Sequence, residues 1–292
     1  MTTSDAAPPL RIAYISGGFP VWALYVAQTQ GLFATHGLRC ELTQTGSSVA
    51  QMQALREGRF DIGLQLPDHV VRATLQGTPL CILAAQAHPP DVALMAAADI
   101  TSLAGLRQRR IAVDGARSGY ALLLVRLLAE QGLAAGDYTL VEVGGSQERV
   151  DALRQGTVHA SFINPPLDKG LAAAGFRRLT STREAFPEYP GPVVAARREW
   201  ADAHADTARA FQRSWEAAWR WLVDPANEAA AQALAQQHLS AEPASAALAL
   251  KMLQRLGPPE LSSDGLRQVV DLVCASEDAM LQRPNARQFV WG

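Results

Sequence analysis

Cysteine is scarce in this sequence and stands alone wherever it occurs. Cys40, Cys81 and Cys274 are too few for a disulfide framework and too scattered for a metal-ligand spacing. Cys40 and Cys81 fall inside strand-like stretches, which reads as burial of a small apolar residue. Long apolar runs are missing too: none approaches the ~18 residues that a bilayer-spanning helix requires. Nor is there an excess of charge of either sign. A formal net charge of −2 gives no electrostatic ground for expecting nucleic acid or an anionic membrane as partner. Arginine outnumbers lysine heavily, a ratio that reads as genome composition. Catalytic signatures are equally absent: no Gly-x-Ser-x-Gly elbow, no His-Glu-x-x-His pair, no P-loop and no Gly-x-Gly-x-x-Gly turn. Met1–Pro9 has no basic n-region, no apolar h-region and no lipid-attachment cysteine. The expectation is a periplasmic protein if an export signal has been removed, and a cytoplasmic one otherwise.

What the chain does contain is nearly the same passage twice. Arg11-Ile12-Ala13, Gln30-Gly31-Leu32 and Gly46-Ser47-Ser48 lead to Ala54-Leu55-Arg56, Gly58 and Pro67. They return as Arg110-Ile111-Ala112, Gln131-Gly132-Leu133 and Gly144-Gly145-Ser146, then Ala152-Leu153-Arg154, Gly156 and Pro165, 98 to 101 residues later. From Gly46 to Pro67 the match to Gly144 to Pro165 needs no gap. Each copy reads as strand, Gly/Ser loop, amphipathic helix, strand, Gly/Ser loop, helix, which makes two α/β lobes of like construction. With 292 residues, 48% of them hydrophobic, the chain is long enough for about two such domains with real cores.

In detail, Ile12–Ile15 reads as a buried strand, followed by the turn-forming Ser16-Gly17-Gly18-Phe19-Pro20. A helix starts at Pro20 or Val21, carries Trp22 and Val26 on one stripe, and stops at Gly31. The helix after Ser47-Ser48 is expected to bury Val49, Met52 and Leu55 and to stop at Gly58. Phe60–Leu64 is a strand, and Pro67-Asp68 opens another helix. Leu80–Ala85 and Asp91–Ala96 are apolar runs on either side of His88, and the first lobe is expected to end near residues 96–100. From Val193 onward there is one more strand, then helices to the end, with Phe211, Trp215, Ala218 and Leu222 at helical spacing. That third has no copy of its own and is expected to return to the first lobe. The expected division is thus a flexible lead over 1–9, a first lobe over 10–96 plus 190–292, and a second lobe over 97–189.

The order of these elements resembles a known family. Tyr25-Val26-Ala27 leads to Gly31-Leu32-Phe33, then Gly37-Leu38 precedes a strand. Ala54-Leu55-Arg56-Glu57-Gly58-Arg59-Phe60-Asp61-Ile62-Gly63 follows. Ser102-Leu103-Ala104-Gly105-Leu106 comes before Ile111-Ala112-Val113, and Ser118-Gly119-Tyr120 after it. Over roughly residues 10–200 this is similar to the substrate-binding proteins of ABC importers in the nitrate, sulfonate, taurine and thiamine-precursor branch. The resemblance implies the two-lobe type II periplasmic-binding-protein fold, with the ligand held between lobes and the helical tail packed on the first lobe. It implies a monomer that closes by hinge bending on a small polar or anionic organic molecule and hands it to an importer permease. No cofactor, no metal and no bond chemistry are implied.

Carried onto matching positions, the resemblance puts Gly17, Gly18, Phe19 and Trp22 at the ligand from the first loop. Gly46, Ser47 and Ser48 follow from the second, then Gln65, Pro67 and His69, and His88. The second lobe would contribute Arg117, Ser118, Gly119, Tyr120, Asn164 and Pro165. The physics is compatible: helix N-termini offer unpaired N–H groups, glycines allow close approach, and aromatic side chains cover an apolar body. Plainer roles stand beside these. The glycines suit turns, Ser47 and Ser48 suit helix caps, Trp22 suits a core stripe, and Arg117, His69 and His88 suit ordinary surface or structural positions. A cytoplasmic enzyme on the same fold is the alternative, similar to sulfinate desulfinases or thiamine-pyrimidine synthases. The first requires a nucleophilic cysteine in the first loop and the second a Cys-rich motif, and this sequence has neither. An effector domain of a transcription regulator would need a helix-turn-helix ahead of Arg11.

Overall fold

The computed structural model describes residues 8–15, 18–45, 47–277 and 283–292. In chain order the first elements are β1 (Leu10–Tyr14), α1 (Trp22–Thr29), α2 (Leu32–Thr35) and β2 (Cys40–Gln44). They continue as α3 (Ser48–Arg56), β3 (Ile62–Gln65), α4 (Pro67–Leu75) and β4 (Leu80–Ala85). Next come β5 (Ala93–Ala96), β6 (Arg110–Val113), α5 (Gly119–Glu130), β7 (Thr139–Glu142) and α6 (Ser146–Arg154). Then follow β8 (Ala160–Ile163), α7 (Leu167–Ala173), β9 (Arg177–Ser181), α8 (Thr182–Ala185) and β10 (Val193–Arg197). The last helices are α9 (Arg198–Ala203), α10 (Ala205–Val223), α11 (Glu228–His238), α12 (Pro243–Leu256) and α13 (Ser263–Ser276).

Two compact units result, each with its own sheet. One is the chain up to His88 with Gly191–Leu261 and Asn285–Gly292; the other is Pro89–Pro190 with Ser262–Pro284. The sheet orders are β2-β1-β3-β10-β4 and β7-β6-β8-β5-β9. In the first, β1 runs parallel to β2 and β3, and β10 lies antiparallel between β3 and β4. In the second, β6 runs parallel to β7 and β8, and β5 lies antiparallel between β8 and β9. Each sheet therefore takes three strands from its copy of the repeated passage and two from outside it, one of which is inserted out of chain order. This corrects two expectations. Ala93–Ala96 belongs to the second sheet, so the first unit ends at His88 rather than near 96–100. The helical tail is also divided, because α13 packs on α5 in the second unit.

Side-chain alternation builds the layers. Ile12, Tyr14, Ile62, Leu64, Cys81 and Leu83 point to one face, where α1 and α10 supply Trp22, Val26, Phe211, Trp215 and Leu222. Gly63 points to the other face, toward Leu55 and Gln51 of α3. In the second unit Leu94, Ile111, Val113, Ala160 and Phe162 meet Ala121, Leu124 and Leu128 of α5. Ala93, Met95, Ala112 and Ile163 face Val150 and Leu153 of α6 and Leu171 of α7. Full burial of each such large side chain contributes about 1.5–3 kcal/mol. Val49 is an exception to the expected stripe. It is 75% exposed, while Gln51 takes the buried place with Met52, Ala54 and Leu55.

The repeated residues have repeated jobs. Arg11 holds Asp61 with two guanidinium bonds (Nε–Oδ2 3.1 Å, Nη2–Oδ1 2.6 Å) and donates to the Gly58 carbonyl at 2.8 Å. Its twin Arg110 donates to the Gly156 carbonyl at 3.5 Å, and its backbone N–H meets Nδ1 of His159, the counterpart of Asp61. Gly58 has φ +73° and lies against Arg197, whose Nη1 would be 2.7 Å from a Cβ there. No other residue fits that turn cheaply. Gly265 is constrained differently. It opens α13 so close to the chain at Glu188 that a Cβ would overlap the Glu188 carbonyl oxygen. This close approach lets Leu266, Val269, Val270 and Val273 be buried in the second unit.

Candidate ligand-binding site

Within each unit, most of the residues carried over from the family follow the C-terminal ends of the parallel strands β1, β2 and β3 or β6 and β8, where open α/β sheets bind ligands. Gly17 and Gly46 lie outside the described residues. Gly18 has φ +95° and is followed by a 3-10 turn, Phe19–Val21, on which Phe19 sits half-buried against the Trp22 ring at 5.4 Å. Ser47 caps α3, its Oγ accepting from the Ala50 N–H at 3.3 Å. The side chain of Val49 stands exposed in that first turn, next to Ser48.

At the end of β3 the first unit departs from ordinary interior chemistry. Gln51 is wholly buried and satisfied: Nε2 donates to the Leu64 carbonyl at 2.8 Å, and Oε1 accepts from the Thr45 hydroxyl at 3.0 Å. Gln65 is 2% exposed, yet neither its Nε2 nor its Oε1 has a partner among the described residues. Asp68, 1% exposed in the first turn of α4, pairs Oδ2 with Arg72 Nη1 at 3.3 Å, and its Oδ1 has no partner among the described residues. Gln86, just beyond β4, is 4% exposed. It ties down the first loop by donating to the Pro20 carbonyl at 3.1 Å, and its Oε1 has no partner among the described residues. Pro67 is buried as the opening residue of α4, and His69 is half-buried on the same turn. Buried polar groups are almost always paired, since an unpaired one costs about 1–3 kcal/mol. Among the described residues, four of the buried atoms without a partner belong to three side chains at one sheet end, which makes this end the candidate site.

The second unit is arranged by charge. Ser118 caps α5 through Ala121 N–H at 3.2 Å and donates to Asp114 Oδ1 at 2.5 Å. Gly119 is buried as the first helical residue, and Tyr120 is half-buried beside Pro89, Pro90 and Phe186. Asn164 donates to the Ser146 hydroxyl at 2.9 Å, and Pro165 is exposed. Arg149 is buried on α6 and donates to Ser146 Oγ at 3.0 Å, to the Phe162 carbonyl at 3.3 Å and to the Gly144 carbonyl. Burial pushes its pKa down, against Asp114 and Glu148, which act to raise it. Arg149 stands 98 residues after Gln51 and reaches the carbonyl 98 residues after that of Leu64, so the two are twins in the fold. Asp168, the first-turn acid of α7, likewise has an Oδ1 with no partner among the described residues.

Three of the expected residues have partners within the chain. Trp22 has no exposed surface and its indole donates to the Ala231 carbonyl at 3.1 Å, which makes it a core residue fixing α11. His88 holds the Gly257 carbonyl through Nε2 at 2.8 Å and packs edge-on to Trp219, a structural anchor for the turn after α12. Arg117 forms an ion pair with Glu277 at the end of α13, which raises its pKa, so the tail helix already engages it. Gln51, Asp68, Gln86 and Arg149 were not among the expected site residues. The ungapped repeat carried a signal for one pair, since it sets a polar Gln51 opposite a charged Arg149 on a stripe otherwise apolar.

The model of the family described as NMT1/THI5 like matches residues 20–229. Among curated proteins, the bicarbonate transport ATP-binding protein CmpC of Synechocystis is 26% identical over 236 residues. That match covers 70% of this chain and 34% of the relative, so the chain spans about a third of the length of the protein it matches. Among solved structures, the periplasmic aliphatic sulphonate binding protein SsuA of Escherichia coli superposes with a TM-score of 0.76 at 18% identity, covering 98% of both chains. The desulfurization enzyme DSZB superposes with a TM-score of 0.65 at 15% identity, covering 95% of both. At these identities the superpositions establish a shared fold.

Proposed function

This chain belongs to the NMT1/THI5-like family, and on that premise we propose that it is a solute-binding protein serving an ABC importer, with a small polar organic molecule held at the strand ends. The observation that carries this is the set of unpaired buried polar atoms on Gln65, Asp68 and Gln86. A protein keeps such groups at a stability cost where a ligand supplies their partners. CmpC is a bicarbonate transport ATP-binding protein and SsuA an aliphatic sulphonate binding protein, which agrees with a transport role. With that role come a permease as partner, a periplasmic location and a monomeric state.

An enzyme shares the fold, and a desulfinase-like reading calls for a nucleophilic cysteine. Burial pushes the thiols of Cys40 and Cys81 up to about 12 and raises that of Cys274 as well. A nucleophilic cysteine has a depressed pKa instead. Native mass spectrometry of the freshly purified protein tests the binding role. A small organic molecule retained at one per chain, and lost on Gln65→Ala, is the expected result. Turnover of that molecule into a new product would overturn it.

A further inference from the structure

The unpaired atoms at the first unit's strand ends specify hydrogen-bonding character. Gln86 Oε1 is fixed as an acceptor, because its own amide nitrogen already donates to the Pro20 carbonyl. Asp68 Oδ1 is a carboxylate oxygen, again an acceptor, while Oδ2 is held by Arg72. Gln65 contributes one acceptor and one donor, whichever way its amide is turned. Acceptors thus outnumber donors by three to one. The cation on hand, Arg72, is already paired with Asp68.

We propose that the ligand carries N–H or O–H donors directed at Gln65, Asp68 and Gln86, an amine- or amide-bearing polar solute, and that a donor-free oxyanion is not a sufficient ligand. This rests on the binding role proposed above and narrows its chemistry. A sulfonate or nitrate group presents oxygens alone. Against Asp68 Oδ1 and Gln86 Oε1 it would set acceptor against acceptor and leave both unpaired after desolvation. An N–H edge satisfies them, and an adjacent carbonyl or ring nitrogen on the same solute takes the Gln65 donor. Sites built around hydrogen bonds reject analogues that lack them far more strongly than apolar pockets reject a missing methylene.

Matched pairs test this: taurine against ethanesulfonate, and nicotinamide against nicotinate, with nitrate and cytosine as unmatched probes, each titrated in a thermal-shift assay. The expected result is a Tm rise of about 2 °C or more for at least one donor-bearing solute and none for ethanesulfonate or nitrate. Gln65→Met and Gln86→Met, which keep side-chain length and remove the polar atoms, should weaken that solute by about tenfold or more. Circular dichroism and the ligand-free Tm show whether each variant folds, and the second variant serves if the first does not. Ethanesulfonate or nitrate raising Tm as much as any donor-bearing probe would overturn the inference and leave the binding role standing. Unchanged affinity in both folded variants would overturn it too. If no solute of either kind shifts Tm, the inference fails, while the binding role stands or falls on the native mass spectrometry.

Discussion

Gln51 and Arg149 solve one problem with different chemistry. Each sits where a helix crosses its central strand and must feed a strand carbonyl, Leu64 in one unit and Phe162 in the other. Arg149 has the harder position, since its charge is buried and its bonds run to uncharged oxygens. Arg149→Met would relieve that desolvation but strand the Gly144 and Phe162 carbonyls. We expect a net loss of about 1–3 kcal/mol, measured by urea unfolding. The thiols give a second residue-scale prediction. Below about pH 9, the ordinary thiol value, the folded and unfolded states both hold the proton. Above it the unfolded state releases a proton that folded Cys40 and Cys81 keep until about pH 12. Stability therefore falls as pH rises through that window, with Tyr14, raised to about 12, adding to the decline. Cys40→Ala and Cys81→Ala should each flatten the curve of Tm against pH, with Cys81→Ala costing about 1 kcal/mol at neutral pH through lost packing. The binding role also requires both variants to keep their ligand. Partner identity was the illegible part at this scale: Trp22, His88 and Arg117 take theirs from Ala231, Gly257 and Glu277, all far along the chain, and local pattern cannot report such contacts.

Among the elements, those in the repeat were legible because periodicity and punctuation are local. Gly31, Gly58 and Gly77 end their helices with positive φ, and Pro67 opens α4, as turn chemistry dictates. α13 was a different case. Its apolar stripe of Leu266, Val269, Val270 and Val273 predicts a packed helix without naming what it packs on. The deciding feature is Gly265, whose missing side chain admits the carbonyl of Glu188. Its φ is not in the left-handed region, so only space is at stake. Gly265→Ala should cost about 1–3 kcal/mol through overpacking and raise hydrogen exchange along α13 in particular. Arg117→Ala removes an exposed ion pair to the end of the same helix and should cost no more than about 0.5 kcal/mol. A larger loss, or a loss of ligand, would show that Arg117 does more than steady the tail.

At the scale of the whole molecule, the duplication announced two sheets but not the strand inserted into each. β10 enters between β3 and β4 from more than a hundred residues away, and β5 enters between β8 and β9. Neither insertion leaves a mark in the repeated passage, and the strands are too short for their faces to specify a neighbour. The consequence is that the first unit cannot be finished until the chain returns to it. Val193, Val194, Ala195 and Ala196 have no exposed surface, and their pairing closes the hydrogen-bond ladders of both β3 and β4. α10 then covers the face that carries Ile12, Leu64 and Leu83, and α11 receives the Trp22 indole. A chain ended at Pro190 loses all of these at once. It would expose two unpaired strand edges and the apolar face of the first sheet, which is a recipe for aggregation rather than for a smaller domain. We expect that fragment to be insoluble or rapidly proteolysed. Supplying residues 191–292 in trans should restore soluble, protease-resistant protein if the missing strand and helices are what it lacks. A fragment ending at Pro190 that stays soluble and unfolds cooperatively would mean that β3 and β4 can close without β10, contrary to the sheet order.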